Sequence, residues 1–329
     1  MNRPECAHGE AGRALVTAEL TDDGVGRLTA LGYTVERGGW GATRRELTDY
    51  RSAAAGATLL VTEIERIDDA VLDACPDLRA VATARGAPSN VDIAACTARG
   101  VPVLHTPARN AESVADFTLG LILAITRGIA RAERHLRRDG WLVNGELPYL
   151  HFRGPELAGR TLGLVGYGAV GRAVARRAAR GFGMPVLFTD PAVPEGVGLD
   201  ELLAASDVVS LHCPRSPATE RLIRTETLER MPRGSYLVNT AGGACVDVDD
   251  LLRALDDGHL AGAALDVFGT EPLPPDDPLL RRDDVLLTPH LAGAACDVVR
   301  HHTAMICDDL EALHAGRAPR HCANPDVLS

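Results

Sequence analysis

The chain of 329 residues contains no lysine; all 34 of its basic residues are arginine. Schiff-base chemistry, a pyridoxal anchor and a phosphate-loop lysine are therefore excluded. The bias reads as one of composition and not as a functional device. The eight cysteines (Cys6, Cys75, Cys96, Cys213, Cys245, Cys296, Cys307 and Cys322) form no Cys-x-x-Cys pair. With no secretory leader at Met1-Asn2-Arg3-Pro4, this usage predicts reduced thiols in a cytoplasmic protein, and no metal site is expected. Positive charge is also short. A net charge of −11 argues against nucleic acid or an anionic membrane as partner. Long apolar runs are missing too. The longest, Val114 to Thr126, contains Asp116 and is too short to span a bilayer, so no membrane association is expected.

Glycine is placed with more purpose. Thr161-Leu162-Gly163-Leu164-Val165 leads into Gly166-Tyr167-Gly168-Ala169-Val170-Gly171, and an Ala/Arg-rich segment of helical composition follows to Arg180. This spacing predicts strand, tight turn and helix. Gly166 permits the turn, Gly168 lets backbone approach a pyrophosphate, and Gly171 lets the helix pack close on the strand. Ala169 and Val170 then open the helix, whose free N–H groups and positive dipole end face the phosphates. The next apolar run, Val186-Leu187-Phe188-Thr189, ends in Asp190, nineteen residues after Gly171. An acid there suits the ribose 2′-hydroxyl of NAD and repels the 2′-phosphate of NADP. Pro191 follows, with no arginine beside it in sequence, so NAD is the expected cofactor.

Along the chain, residues 1–12 read as a loose terminus. Ala14–Ala18, Leu59–Thr62, Ala80–Thr83 and Val101–Leu104 read as strands. Asp23–Leu31, Thr43–Ala55, Asp68–Ala74 and Asp92–Arg99 read as helices between them. Alternation of this kind predicts a parallel sheet covered on both faces. One long helix is expected from Arg109 to about Arg138. Its first half is apolar nearly all round and must be buried, with a subunit interface favoured over an internal seam. Further strands are expected at Asp207–His212, Ser235–Thr240, Ala261–Val267 and Val285–His290, and a helix at Asp297–Ala315. Ligands of open α/β sheets lie beyond the carboxyl ends of the strands, so His212, Asn239, Thr240, Asp266 and His290 are candidates for one cleft.

These motifs together amount to a family pattern. The chain resembles the D-isomer-specific 2-hydroxyacid dehydrogenases, the group of the D-3-phosphoglycerate dehydrogenases and glyoxylate/hydroxypyruvate reductases. The likeness runs through Arg85-Gly86-Ala87-Pro88-Ser89-Asn90-Val91-Asp92, Asn110–Asp116, the glycine fingerprint and Leu211-His212-Cys213-Pro214. It continues through Leu237-Val238-Asn239-Thr240-Ala241, Leu265–Phe268 with Glu271-Pro272, and Thr288-Pro289-His290-Leu291-Ala292-Gly293. The resemblance implies an α/β protein of two doubly wound parallel-sheet domains. A Rossmann NAD domain (111–295) is inserted into a flavodoxin-like substrate domain (1–110 and 296–329). It also implies a homodimer, and hydride transfer between NAD and a 2-hydroxy or 2-keto acid. By the same resemblance His290 is the acid/base and Glu271 its charge partner. Asp266 holds the nicotinamide carboxamide, and Thr240, Ala241 and Gly293 belong to the cofactor set. His212, Pro214 and Thr219 lie along the adenosine side, and Arg85, Gly86 and Ala87 meet the substrate carboxylate. The chemistry is coherent, because a keto acid receiving hydride gathers negative charge on its oxygen and needs a proton donor within reach. A histidine oriented by a carboxylate suits that task.

One residue departs from the pattern. The family writes Asn-Thr-Ala-Arg-Gly, whereas this chain has Asn239-Thr240-Ala241-Gly242-Gly243. By the resemblance, the missing arginine is the bidentate cation for the substrate carboxylate and carbonyl. Three readings stay open. Another arginine, such as Arg85 or Arg109, reaches the substrate; or the substrate is not an ordinary 2-keto acid; or the protein binds NAD without efficient turnover, as a sensor or scaffold. Cys245 and Cys296 lie near motif ends, but a nucleophilic role needs an activating neighbour that the sequence does not display.

Overall fold

A computed structural model of the chain describes residues 12–329; the expected loose terminus falls outside the described residues except for Gly12, which opens the first strand. The chain divides into two compact units, one of residues through Arg109 together with Ala295–Ser329, the other Asn110–Ala294.

The first unit holds five parallel strands: β1 (Gly12–Val16), β2 (Tyr33–Arg37), β3 (Leu59–Thr62), β4 (Ala80–Thr83) and β5 (Val103–Leu104), in the order β2-β1-β3-β4-β5. The central strands β3 and β4 are buried at every position, as parallel strands covered on both faces must be. The strand period sorts their side chains. Ala14, Val16, Leu59 and Val61 pack with Leu28, Ile306 and Leu310, beneath the helices Asp22–Ala30 and Cys296–His314. Leu15, Leu60 and Val81 point the other way, to Ala54, Leu72 and Cys96 of the helices Tyr50–Ala54, Asp69–Asp73 and Ile93–Ala98. The expected helix Thr43–Ala55 forms only as Gly39–Thr43 and Tyr50–Ala54, because Arg44 adopts a left-handed conformation, with φ of 59°.

The second unit holds six parallel strands: β6 (Leu162–Val165), β7 (Val186–Thr189), β8 (Val208–Leu211), β9 (Ser235–Asn239), β10 (Leu260–Leu265) and β11 (Val285–Leu287), in the order β11-β10-β9-β8-β6-β7. From β6 the chain winds first to β7 on one side and then to β8 on the other. The carboxyl ends of β6 and β8 therefore form a switch point, where open α/β sheets hold their ligands.

The long helix differs from expectation. It runs Ala111–Thr126, breaks at Gly128 (φ of 61°), and resumes as Ile129–Asp139 at an angle of 59°. Among the described residues no single helix is long and apolar enough to cross a membrane. Ala115, Leu119, Leu121 and Ile122 pack on Leu162, Leu164, Val238 and Ala264 and on Ala173 and Val174 of the helix Ala169–Phe182. The apolar stripe thus covers its own unit's sheet, while Phe117, Leu123 and Ile125 stay only partly buried. No residue of the segment Ile129–Asp139 is buried.

Candidate functional site

In the second unit β6 ends at Gly166, whose φ of 98° lies in the region that favours glycine. A Cβ there would stand 2.6 Å from the His212 carbonyl carbon, and one on Gly171 would stand 2.3 Å from the Gly166 carbonyl oxygen. Both positions are closed to any larger residue. Gly168 faces open space at the start of the helix Ala169–Phe182, with no side chain capping it. The N–H groups of the first turn, Ala169 and Val170 included, are thereby left for an anion. Asp190 lies against the same turn and accepts from the N–H of Tyr167 at 2.7 Å and of Ala192 at 2.9 Å. Those two bonds, opposed by partial burial and aided by Arg172, hold its carboxyl below the usual range. No arginine adjoins Asp190 in sequence, yet Arg172 approaches it from the helix, while donating to the Tyr167 carbonyl at 2.8 Å.

Beyond β8, His212 shares a 3.0 Å hydrogen bond through Nε2 with Ser210 Oγ, and its buried Nδ1 has no partner among the described residues. Burial pushes its pKa down to about 4, so the ring is neutral at physiological pH. Thr219 ties this loop by donating to the Pro214 carbonyl at 2.7 Å. Beyond β9, buried Asn239 clamps the next loop: its Oδ1 accepts from Ala241 N–H at 3.0 Å and its Nδ2 donates to the Gly242 carbonyl at 3.0 Å. Thr240 Oγ1 lies 3.2 Å from Thr118 Oγ1. Cys213 and Cys245 bring their Sγ atoms to 4.0 Å, a pair that their separation in sequence conceals. The Cys245 thiol is drawn below its ordinary value by its contact with the Cys213 thiol, against burial, with Thr219 and Arg215 adding to the effect.

At the end of β11, His290 shares a 2.8 Å hydrogen bond through Nδ1 with Glu271 Oε2, and Glu271 Oε1 accepts from the Phe268 N–H at 2.9 Å. Burial pushes the Glu271 carboxyl up, but the bonds from His290 and Phe268 outweigh it and leave the group below its usual range. His290 Nε2 has no partner among the described residues, and the side chain is 64% exposed. The backbone of His290 is left-handed, with φ of 55°, which a non-glycine residue adopts only when its surroundings impose it. Asp266 imposes it. Its carbonyl accepts from the His290 N–H at 2.8 Å, and its fully buried carboxylate accepts from Thr288 Oγ1, Leu291 N–H and Ala292 N–H at 2.6–2.9 Å. Asp266 thus anchors the histidine loop. Gly293 sits where a Cβ would come within 2.9 Å of Asn110 Nδ2. A mainly apolar cavity of about 720 Å³ adjoins the pair, walled by Phe268, Leu273, Leu280 and Leu287.

In the first unit the loop after β4 carries Arg85, whose guanidinium donates to the Glu63 carbonyl at 3.3 Å. Gly86 accepts from His105, and among the described residues the Gly86 and Ala87 N–H groups enter no backbone hydrogen bond. Arg109 is engaged within its own unit: Nη2 pairs with Glu63 Oε1 at 2.6 Å and Nη1 meets His302 Nδ1 at 2.7 Å. Its use as a reserve cation for substrate would require breaking both contacts.

Comparison with known proteins agrees with these features. Residues 119–292 match the family described as D-isomer specific 2-hydroxyacid dehydrogenase, NAD binding domain. A glyoxylate reductase of Thermofilum pendens is 40% identical over 299 residues, which cover 88% of this chain and 87% of the relative. The crystal structure of the TT0316 protein of Thermus thermophilus superposes with a TM-score of 0.83 at 38% identity, covering 94% of this chain and 99% of the other. An NADPH-dependent glyoxylate/hydroxypyruvate reductase of Sinorhizobium meliloti gives a TM-score of 0.78 at 28% identity over 95% and 98% of the two chains.

Proposed function

This chain belongs to the D-isomer-specific 2-hydroxyacid dehydrogenases, oxidoreductases that use a nicotinamide cofactor on small 2-hydroxy or 2-keto acids, and we propose from that premise that it reduces a short 2-keto acid of the glyoxylate kind with NADH. The residues present fit a dinucleotide. Gly168 leaves room for a pyrophosphate over the first helical turn, and His212 keeps a buried Nδ1 in want of a partner. Asp190, held ionised by backbone N–H groups, favours a free ribose hydroxyl over a 2′-phosphate. The bound nicotinamide supplies the hydride.

The observation that carries the proposal is the His290–Glu271 pair. With Nδ1 held by the carboxylate, Nε2 is the nitrogen left to give a proton to the oxygen of the reduced carbonyl, and Glu271 stabilises the charged ring before that transfer. Asp266 acts as a positioning residue, fixing the left-handed turn that presents the ring. The N–H groups of Gly86 and Ala87 are donors that the first unit offers to a carboxylate. In the assay, purified protein receives NADH or NADPH with a panel of 2-keto acids. Turnover with NADH preferred, and lost in His290→Ala, is expected. Coenzyme binding without turnover of any panel member would favour the sensor reading.

The protein acts as a homodimer in this proposal. The segment after the helix break leaves Ile129, Leu136, Trp141, Leu147 and Tyr149 about half exposed or more, with Trp141 at 67%. Large apolar side chains left exposed along one segment mark a protein contact, and a second copy is the occupant proposed. Sedimentation is expected to give twice the chain mass, and Leu136→Glu to shift it towards the monomer; a wild-type monomer at micromolar concentration would refute the assignment.

A further inference from the structure

We infer that Arg215 supplies the cation for the substrate's carboxylate and developing oxyanion, standing in for the arginine that the neighbouring position 242 lacks. The inference rests on the 2-keto acid reading above, because such a substrate carries a full negative charge and gains a second partial one as it is reduced. Groups of that kind call for a guanidinium fork, and the chain has no lysine to offer instead.

The geometry narrows the choice. A Cβ built on Gly242 would lie 3.9 Å from the Cβ of Arg215 and 3.7 Å from Cys245 Sγ, with no other close neighbour. A side chain rooted at 215 therefore starts in van der Waals contact with the point where one rooted at 242 would start. Gly242 in turn adjoins the histidine loop. The next residue, Gly243, is pressed against the backbone of Phe268, where a Cβ would stand 1.8 Å from the carbonyl carbon. Phe268 N–H binds Glu271, and Glu271 binds His290. Three contacts thus connect the loop beside Arg215 to the proton donor.

Arg215 is also free to act. Among the described residues of the neighbouring loops, Arg221 is paired with Asp247, Arg224 with Glu226, and Arg172 with the Tyr167 carbonyl. Among the described residues no hydrogen bond or ion pair holds Arg215, and its residue is exposed. Its charge is felt in this corner, since it helps to draw down the nearby Cys245 thiol. In the first unit, Arg109 is committed to Glu63 and His302.

The test uses two readouts on the full chain: keto-acid kinetics at saturating NADH, and binding of oxamate to the NADH complex, which reports anion capture without turnover. Arg215→Ala is expected to weaken oxamate binding and to raise KM for glyoxylate by at least about tenfold, with NADH affinity within about twofold of wild type. Arg215→Lys should recover part of the loss, having charge without the fork. Gly242→Arg added to Arg215→Ala should recover most of it, because the backbone at 242 is extended (φ of −162°) and accepts any residue. Oxamate and glyoxylate affinities unchanged in Arg215→Ala would overturn the inference, as would a loss confined to NADH, which would make Arg215 a coenzyme ligand. Oxamate capture that needs Arg215, in a protein that turns over no keto acid, would sustain the inference and defeat the assigned reaction.

Discussion

The two sheets share a winding but differ in what they leave unpaired beyond their strands. In the first unit the charged side chains near the carboxyl ends close on one another. Arg109 meets Glu63 and His302, His302 bonds the Glu19 carbonyl at 2.6 Å, and Thr17 and Thr62 both donate to Glu65. In the second unit the corresponding loops hold a histidine nitrogen with no partner at 212, an unpaired guanidinium at 215 and an open imidazole nitrogen at 290. The same architecture therefore carries charged groups paired with one another in one place and titratable or charged side chains left open in the other. What separates them, among the described residues, is the kind of polar atom still lacking a partner: two imidazole nitrogens and a guanidinium in the second unit, against the Gly86 and Ala87 N–H groups and the Tyr50 hydroxyl in the first.

Three measurements bear on that contrast. Removing the open imidazole should have the largest effect: His290→Ala is expected to lower kcat for keto-acid reduction by about a thousandfold, in the range of a lost general acid, while leaving NADH bound. Next comes acid stability. His212 titrates at about 4 in the folded protein against 6.5 unfolded. The unfolded chain therefore binds more protons between those values. The stabilisation is full above about pH 6.5 and is lost as pH falls towards 4, by up to about 3 kcal/mol. Urea melts across this window should show a shallower acid decline in His212→Gln than in wild type; equal slopes would mean that the ring is not shielded. The smallest effect belongs to the closed cluster. Arg109→Ala leaves Glu63 and His302 without their shared partner and should cost about 2 kcal/mol of stability with coenzyme affinity unchanged. A loss of substrate affinity without a loss of stability would reverse the roles assigned to the two units.

Much of this was legible in the residues, for physical reasons that also explain the rest. The inner strands were visible because burial on both faces demands unbroken apolar runs such as Leu59–Thr62. The edge strand Tyr33–Arg37 was not, since only Tyr33 is buried and its other side chains look like loop. The long helix was misjudged at Gly128, where one left-handed glycine ends a pattern that composition continues. His290 and Glu271 could be named from motif, yet the internal work of Asp266 could not, because its partners depend on how the chain turns after β11. Arg215 was passed over for a similar reason. It stands far from Gly242 in sequence, and only the adjacency of the loops after β8 and β9 makes them neighbours.

Adjacent residues in one loop have opposite evolutionary prospects. Position 242 is a vacancy that mutation can furnish at little cost, so substrate preference there is open to drift and to design. Position 243 is a keystone: any side chain would drive the strand-end loops apart and carry the acid–base couple with them. A library randomised over both codons should return many solutions at the first and almost only the parental residue at the second.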